Sequence, residues 1–390
     1  MLRLDWISPG DDSFGTARVT TELIPALGDH AVHTRLYLLD SGEFYDRCQS
    51  LELENEVLQL TDPHWIRKGT LFRNAKALFQ QLNVSQSISI HLQKAIQSFQ
   101  PHAIVFQHQN LVSLVSITAR RSSIPAFWLM PNYIGSGYPF DINKHVYGLL
   151  CRLGNITPLA NSKGTATSLG GRWITSEVLS LGANPSRFDP TRSQHLKSKL
   201  NIPDHHPVFG MFARLVPEKG HIVFWKALLN ASNPENPCHF LVCGDASDTG
   251  QVVLDELRAI AAQHQAENRL HWIPATNDPT PWYGCIDVAV NPRLDPEPFG
   301  LSVVEAMLMK KPVLAHRAGG PGDIIQDQIT GWLAPEASIS SFTHTIQDAL
   351  KSRSEWIKMG LEGRNRALNC YTIERVASNF HRILTSKLNS

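Results

Sequence analysis

A doubly wound α/β architecture in two domains is the fold class that this sequence predicts, and three observations predict it. Apolar runs of strand length alternate with helical stretches along the chain. The strand-like runs fall into two groups separated by a polar, strand-poor stretch, residues 185–198. The 390 residues are enough for two domains of ordinary size, each with its own core.

In chain order, the first group of strands is expected near Arg3–Ile7, His33–Leu39, Ala103–Phe106, Ala126–Met130 and Thr157–Ala160. The second is expected near Val208–Phe212, Phe240–Cys243, Leu270–Ile273, Val288–Asn291 and Val313–Ala315. These short apolar runs, bounded by Gly, Pro and polar clusters, suit strands buried on both faces. Two such sheets imply a cleft between domains. Domain boundaries are expected at 1–184 and 185–371, with 372–390 forming a helical segment that crosses back to the first domain. Repeats and low-complexity segments are absent from the sequence.

The most informative stretch is Asp295–Met307, DPEPFGLSVVEAM. Pro292, Pro296 and Pro298 stiffen the segment after a strand, and Gly300 opens a helix carrying Leu301, Val303, Val304 and Met307 at helical spacing. Backbone N–H groups at such a helix start meet anions, so a phosphate is expected near Gly300 and Leu301. Glu297 and Glu305 stand eight positions apart, too far to act as an acid/base pair on one atom. They suit two ends of an extended ligand bearing vicinal hydroxyls, although two glutamates taken alone fit solvated acids equally well.

Upstream lies Val208–Gly220, VFGMFARLVPEKG, in which Arg214 and Lys219 follow a strand and precede a helix through Ile222, Trp225 and Leu228. At the carboxyl end of a parallel strand, a planar guanidinium and a flexible ammonium suit a diphosphate. A lone pair of loop cations is more often merely solvated; the glutamate segment shifts the balance.

These two segments together resemble the donor-binding signature of the retaining nucleotide-sugar glycosyltransferases of family 4, the group 1 type, which have the two-domain GT-B fold. The resemblance extends to HFLVCGDA at His239–Ala246, LHWIPA at Leu270–Ala275, AGGPGDIIQDQITGWL at Ala318–Leu333 and LSLGANPSRFDP at Leu179–Pro190. It is detailed from about residue 155 to 380 and vague before that. It implies an acceptor-binding first domain, a donor-binding second domain, and transfer of sugar from a UDP- or GDP-sugar to a glycan or lipid-linked hydroxyl with retention. Carried over residue by residue, Glu297, Arg214 and Lys219 are the catalytic group. Glu305, Phe299, Gly300, Leu301, Gly244, Pro274 and Gly15 contact the donor. Glu305 holds the ribose and Glu297 the sugar hydroxyls. The resemblance implies no cofactor; the nucleotide diphosphate sugar is a co-substrate. The chain has no Asp-x-Asp pair for a diphosphate-bound metal, which is consistent with cations and amides doing that work.

The first domain departs from the family pattern. SPGDDSFG at Ser8–Gly15 ends on Gly15 alone, without the adjacent Gly-Gly pair that relatives often carry facing the donor. His108, in QHQN after a strand, and Asn132, standing where a His is expected, are the acceptor-side residues. A second feature, residues 65–82, places Leu71, Phe72, Ala75, Leu78, Phe79 and Leu82 on a helical stripe beside Arg67, Lys68, Arg73 and Lys76. A helix packed on its own domain is the favoured reading, and peripheral contact with the cytoplasmic membrane face the other.

Composition excludes several classes. Apolar content of 42% and net charge +1 describe a soluble globular chain with no charge excess directed at nucleic acid. The six cysteines have no metal spacing, and most lie in apolar runs, so buried thiols in a reducing compartment are expected. Neither a signal-like segment nor a membrane-spanning run is read, and a cytoplasmic location is expected. No Gly-x-Gly-x-x-Gly follows a strand, which argues against a dinucleotide dehydrogenase. Two alternatives stay open at this point: a non-catalytic sugar-nucleotide or glycan-binding subunit, and another enzyme of the fold such as a nucleotide-sugar epimerase or a phosphorylase.

Overall fold

The computed structural model describes residues 1–10, 15–58, 75–135, 142–169, 174–193, 196–233, 235–247 and 249–389. Parallel pairing dictates crossover connections, and the chain alternates strands and helices accordingly. Two compact units result: Met1–Leu181 with Ile373–Ser390, and Gly182–Thr372. The stretch read as a linker belongs to the second unit. Phe188 is fully buried there, and Arg192 pairs with Asp278 at 2.7 Å, so apolar and ionic anchors override its polar composition.

The first unit runs β1 (Leu2–Ser8), α1 (Gly15–Gly28), β2 (Val32–Leu38), α2 (Glu43–Ser50), β3 (Asn55–Val57), α3 (Ala75–Phe99), β4 (Ala103–Phe106), α4 (Val112–Ser122), β5 (Ala126–Met130), α5 (Ile142–Leu153), β6 (Ile156–Ala160), α6 (Lys163–Leu169) and β7 (Glu177–Val178). The strands form one parallel sheet in the order β3-β2-β1-β4-β5-β6-β7. A last helix, α14 (Ile373–Leu388), returns to this unit. Ile373, Val376, Ala377, Phe380 and Leu384 repeat at helical spacing, and all join the core formed by β1, α1 and Phe127. The basic stretch at 65–74 lies outside the described residues, as do the side chains up to 84; α3 itself begins at Ala75.

The second unit runs β8 (Val208–Phe212), α7 (His221–Ala231), β9 (His239–Cys243), α8 (Thr249–Gln263), β10 (Leu270–Ile273), α9 (Thr280–Tyr283), β11 (Val288–Asn291), α10 (Leu301–Leu308), β12 (Val313–His316), α11 (Gly320–Ile324), β13 (Gly331–Ala334), α12 (Ile339–Lys351) and α13 (Trp356–Cys370). Its parallel sheet is ordered β10-β9-β8-β11-β12-β13. Phe209, Phe224, Trp225, Phe240, Trp332 and Trp356 fill the core beside it. The sheet order places the carboxyl ends of β8, β11 and β12 next to one another, with β9 on the far side of β8. Three loops from distant parts of the chain therefore meet along one edge. Among the described residues no helix is long and apolar enough to cross a membrane. Five cysteines are buried thiols and Cys370 is exposed.

Candidate functional site in the second unit

The loop after β8 carries Arg214 and Lys219. Its first residues prolong the ladder with the chain beyond β9: the Ala213 amide donates to Cys243 O at 3.0 Å and the Leu215 amide to Asp245 O at 2.9 Å. Arg214 is thus held in extended backbone beside Gly244, whose own amide donates to Ile273 O at 3.0 Å. Pro217–Lys219 then form a 3-10 turn that ends at Gly220, with φ of 82°. A Cβ at Gly220 would lie 2.1 Å from Pro292 O, so glycine is what allows this loop to press against the loop after β11. The Leu294 amide donates to Glu218 O at 2.9 Å and closes the contact.

The loop after β11 carries the carboxylates. Glu297 pairs with the backbone beyond β12, its amide donating to Ala318 O at 3.3 Å and its carbonyl accepting from the Gly320 amide at 2.8 Å. A Cβ on Gly320 would meet Phe299 O at 2.0 Å, a close approach that only glycine allows. This seat holds Glu297 at 8% exposure, where Lys219 Nζ reaches its Oε2 at 2.9 Å and Arg293 Nη1 faces its Oε1 at 3.5 Å. Arg293 turns its other edge to Asp295, with Nε to Oδ1 at 2.7 Å and Nη2 to Oδ2 at 3.1 Å. Burial raises the Asp295 pKa, but the hydrogen bond and charge of Arg293 outweigh it and hold the carboxyl below its ordinary range.

Gly300 caps α10, and Leu301 is its first residue. Glu305, inside that helix, is 4% exposed, so neither glutamate is the solvated acid that an isolated reading allows. Phe299 is buried with its ring edge-on to Tyr371 at 6.1 Å, and this packing fixes the turn before the helix. Pro274 is exposed after β10, its carbonyl 3.9 Å from Cys243 Sγ. The structure thereby brings together Lys219, Glu297, Phe299, Gly300 and Leu301, and sets Arg214 and Gly244 on the adjoining strand ends. Sequence reasoning missed Arg293; its signal was the spacing Arg293, Asp295, Glu297 within one Pro-stiffened loop. It also missed why the Gly319–Gly320 pair sits where it does.

In the first unit, Gly15 opens α1 and is exposed, next to residues 11–14, which lie outside the described set. His108 is half-buried after β4, its carbonyl accepting from the Leu111 amide at 2.9 Å. Asn132 is exposed after β5. β1, β4 and β5 are consecutive in the sheet, so these three positions follow the carboxyl ends of neighbouring strands.

His221, the first residue of α7, lies buried beneath the Lys219 turn. Neither ring nitrogen makes a hydrogen bond of normal geometry, although the Val216 and Ala213 carbonyls weakly favour the charged form. Burial first, and then the Lys219 charge, push its pKa down to about 4 from 6.5. The native state thus keeps the ring neutral, while the unfolded chain takes up a proton below pH 6.5. The sign follows: stability from this group is complete above that pH and is withdrawn as the pH falls towards 4, by roughly 3 kcal/mol in all. Urea unfolding of His221→Gln is expected to show a flatter loss of stability between pH 7 and 4 than the wild type; parallel slopes would contradict the assignment.

Known proteins resemble this chain in sequence over part of its length and in fold over nearly all of it. Residues 193–366 match the family model described as glycosyl transferases group 1. The chain is 29% identical over 203 residues to the GDP-mannose-dependent alpha-(1-6)-phosphatidylinositol monomannoside mannosyltransferase of Mycolicibacterium smegmatis, covering 50% of this chain and 52% of that one. It is 28% identical over 194 residues to the D-inositol 3-phosphate glycosyltransferase of Corynebacterium glutamicum, covering 47% and 45%. The chain thus spans about half the length of the curated relatives it matches. Among solved structures, Anabaena HepE in complex with UDP aligns with a TM-score of 0.82 and 18–20% identity across its structures, covering 99% of this chain and 100% of that one. A glycosyltransferase from Rickettsia africae aligns with a TM-score of 0.81 at 18% identity, covering 99% and 98%. These likenesses show the fold, the GT-B architecture of two Rossmann-like parallel-sheet domains. In sequence, the match to glycosyl transferases group 1 lies in residues 193–366, within the second unit.

Proposed function

We propose that the protein is a retaining glycosyltransferase that moves a sugar from a nucleotide diphosphate sugar, a UDP- or GDP-sugar, to a hydroxyl of a glycan or lipid-linked acceptor. The observation that carries this reading is the buried Glu297, held by Lys219 beside the start of α10 at the carboxyl edge of the sheet. Support comes from the family match of residues 193–366 and from HepE, whose structures hold UDP and UDP-glucose.

In this reading the diphosphate lies over the start of α10, where the Gly300 and Leu301 amides, Arg214 and Lys219 meet its charge. As the bond from the anomeric carbon to the phosphate oxygen breaks, negative charge grows on the leaving group, and these donors stabilise it without a bound metal. Glu297 accepts sugar hydroxyls and orients the ring; Glu305 holds the ribose. Gly244 and Pro274 border the base. The acceptor oxygen attacks from the face that the phosphate leaves, and a phosphate oxygen takes its proton, which yields retention. The first unit binds the acceptor, with His108 and Asn132 as its candidate residues. The setting is polysaccharide or glycolipid assembly in the cytoplasm.

A panel of UDP-, GDP- and ADP-sugars, read by thermal shift and by slow donor hydrolysis, tests the proposal. One nucleotide sugar is expected to stabilise the wild type and to be hydrolysed, with hydrolysis lost in Glu297→Ala and both responses lost in Arg214→Ala. Silence towards all donors, or turnover untouched by both substitutions, would overturn it. Binding without any turnover would instead favour a non-catalytic subunit.

A further inference from the structure

Lys219 faces a conflict. In the reading proposed above, on which this inference rests, its ammonium meets the donor diphosphate; in the structure it is bonded to Glu297 at 2.9 Å. If it left, a carboxylate at 8% exposure would lose a charged partner, and a buried unpaired carboxylate is costly. Arg293 removes the conflict. Its guanidinium is a fork with two usable edges: Nε and Nη2 are fastened to Asp295, and Nη1 is left facing Glu297 Oε1 at 3.5 Å, on the carboxylate oxygen opposite the one Lys219 holds. Its side chain is only 18% exposed, and its carbonyl is bonded to His316 Nδ1 at 2.9 Å, so both backbone and head group are pinned.

We propose that Arg293 is a positioning residue for a cation handover: it keeps Glu297 neutralised while Lys219 transfers from that carboxylate to the incoming diphosphate. Two cations and two carboxylates, Lys219, Arg293, Asp295 and Glu297, balance before the ligand arrives. Once Lys219 turns away, Arg293 remains on Glu297 and keeps it oriented for the sugar. A lysine at position 293 has one ammonium and cannot hold Asp295 with one edge while presenting another to Glu297. Glu297 thus has a second counter-ion that comes from its own loop and does not depend on Lys219.

The test is a double-mutant cycle on the binding of the nucleoside diphosphate alone, read by calorimetry, with circular dichroism melts to confirm folding of each variant. Without a sugar in the ligand, direct contacts from Glu297 to the donor do not enter the measurement. Arg293→Ala is expected to weaken binding about tenfold, because Lys219 stays locked on Glu297, and Arg293→Lys to recover little of it. Adding Glu297→Gln should restore affinity about tenfold in the Arg293→Ala background, yet change it less than about threefold when Arg293 is present. Equal effects of Glu297→Gln in both backgrounds would mean that Arg293 acts only through its field on the phosphate, and would overturn the handover. Unchanged affinity in Arg293→Ala would do the same. A wild type that binds no nucleoside diphosphate would bring down the handover and the transferase reading together, whereas additivity in a binding-competent wild type refutes the handover alone.

Discussion

Glu297→Gln is expected to lower kcat/KM for sugar transfer by about 10²–10³-fold while leaving binding of the nucleoside diphosphate nearly intact. The substitution preserves shape and removes charge. A buried carboxylate held by Lys219 and Arg293 offers its remaining lone pairs as strong, charge-assisted acceptors for sugar hydroxyls. A glutamine in the same seat turns an amide NH₂ towards one of two cations and loses half its acceptor capacity. The backbone seat, made by hydrogen bonds to Ala318 and Gly320, does not depend on the side chain, so the fold should survive. The comparison to make is steady-state transfer against calorimetric binding in one protein. Loss of both together would place Glu297 in the fold rather than in the chemistry, and loss of neither would remove it from the site.

Gly220→Ala should be the most damaging single methyl in this region. The residue sits at φ of 82°, where a side chain costs about 1–2 kcal/mol, and its Cβ would fall 2.1 Å from Pro292 O. The atom in the way is backbone, so relief requires the loop after β8 to move from the loop after β11. That movement breaks the Leu294 to Glu218 hydrogen bond and draws Lys219 from Glu297. A destabilisation of about 3 kcal/mol is expected, with a fall in Tm of roughly 6–12 °C for a unit of this size. Thermal melts and donor binding should fail in step; a fully stable Gly220→Ala protein would show that the two loops are not locked together.

Much of the framework was legible because parallel strands buried on both faces announce themselves as short apolar runs. β4, β5, β8, β10 and β11 match their expected ranges residue for residue, and β1, β2, β6, β9 and β12 differ by a residue at one or both ends. The strands that escaped notice are the edges. β3 and β7 have three and two residues with Asn55, Glu56 and Glu177 among them, so no apolar run marks them. β13 begins at Gly331 within what reads locally as a Thr-Gly turn, and only pairing with β12 makes it a strand.

The site was legible in its parts and not in its joints. Glu297, Lys219 and Gly300 stand out in sequence through charge and the helix start, yet Lys219 and Glu297 are 78 positions apart, and nothing in either segment states that they bond. Arg293 drew no notice because its partners depend on how the loop folds back on itself. The burial of Glu305 was equally hidden, since a charged residue on a helix is ordinarily solvated. Such features come from three loops meeting at one sheet edge, which strand order determines and local pattern does not.

The most direct measurement is a crystal structure of the protein with the nucleoside diphosphate that the donor panel selects. The diphosphate is expected over the start of α10, with Lys219 Nζ turned from Glu297 to a phosphate oxygen and Arg293 still on the Glu297 carboxylate. A diphosphate bound elsewhere, or a Lys219–Glu297 bond unbroken beneath it, would rule out this donor site and the handover.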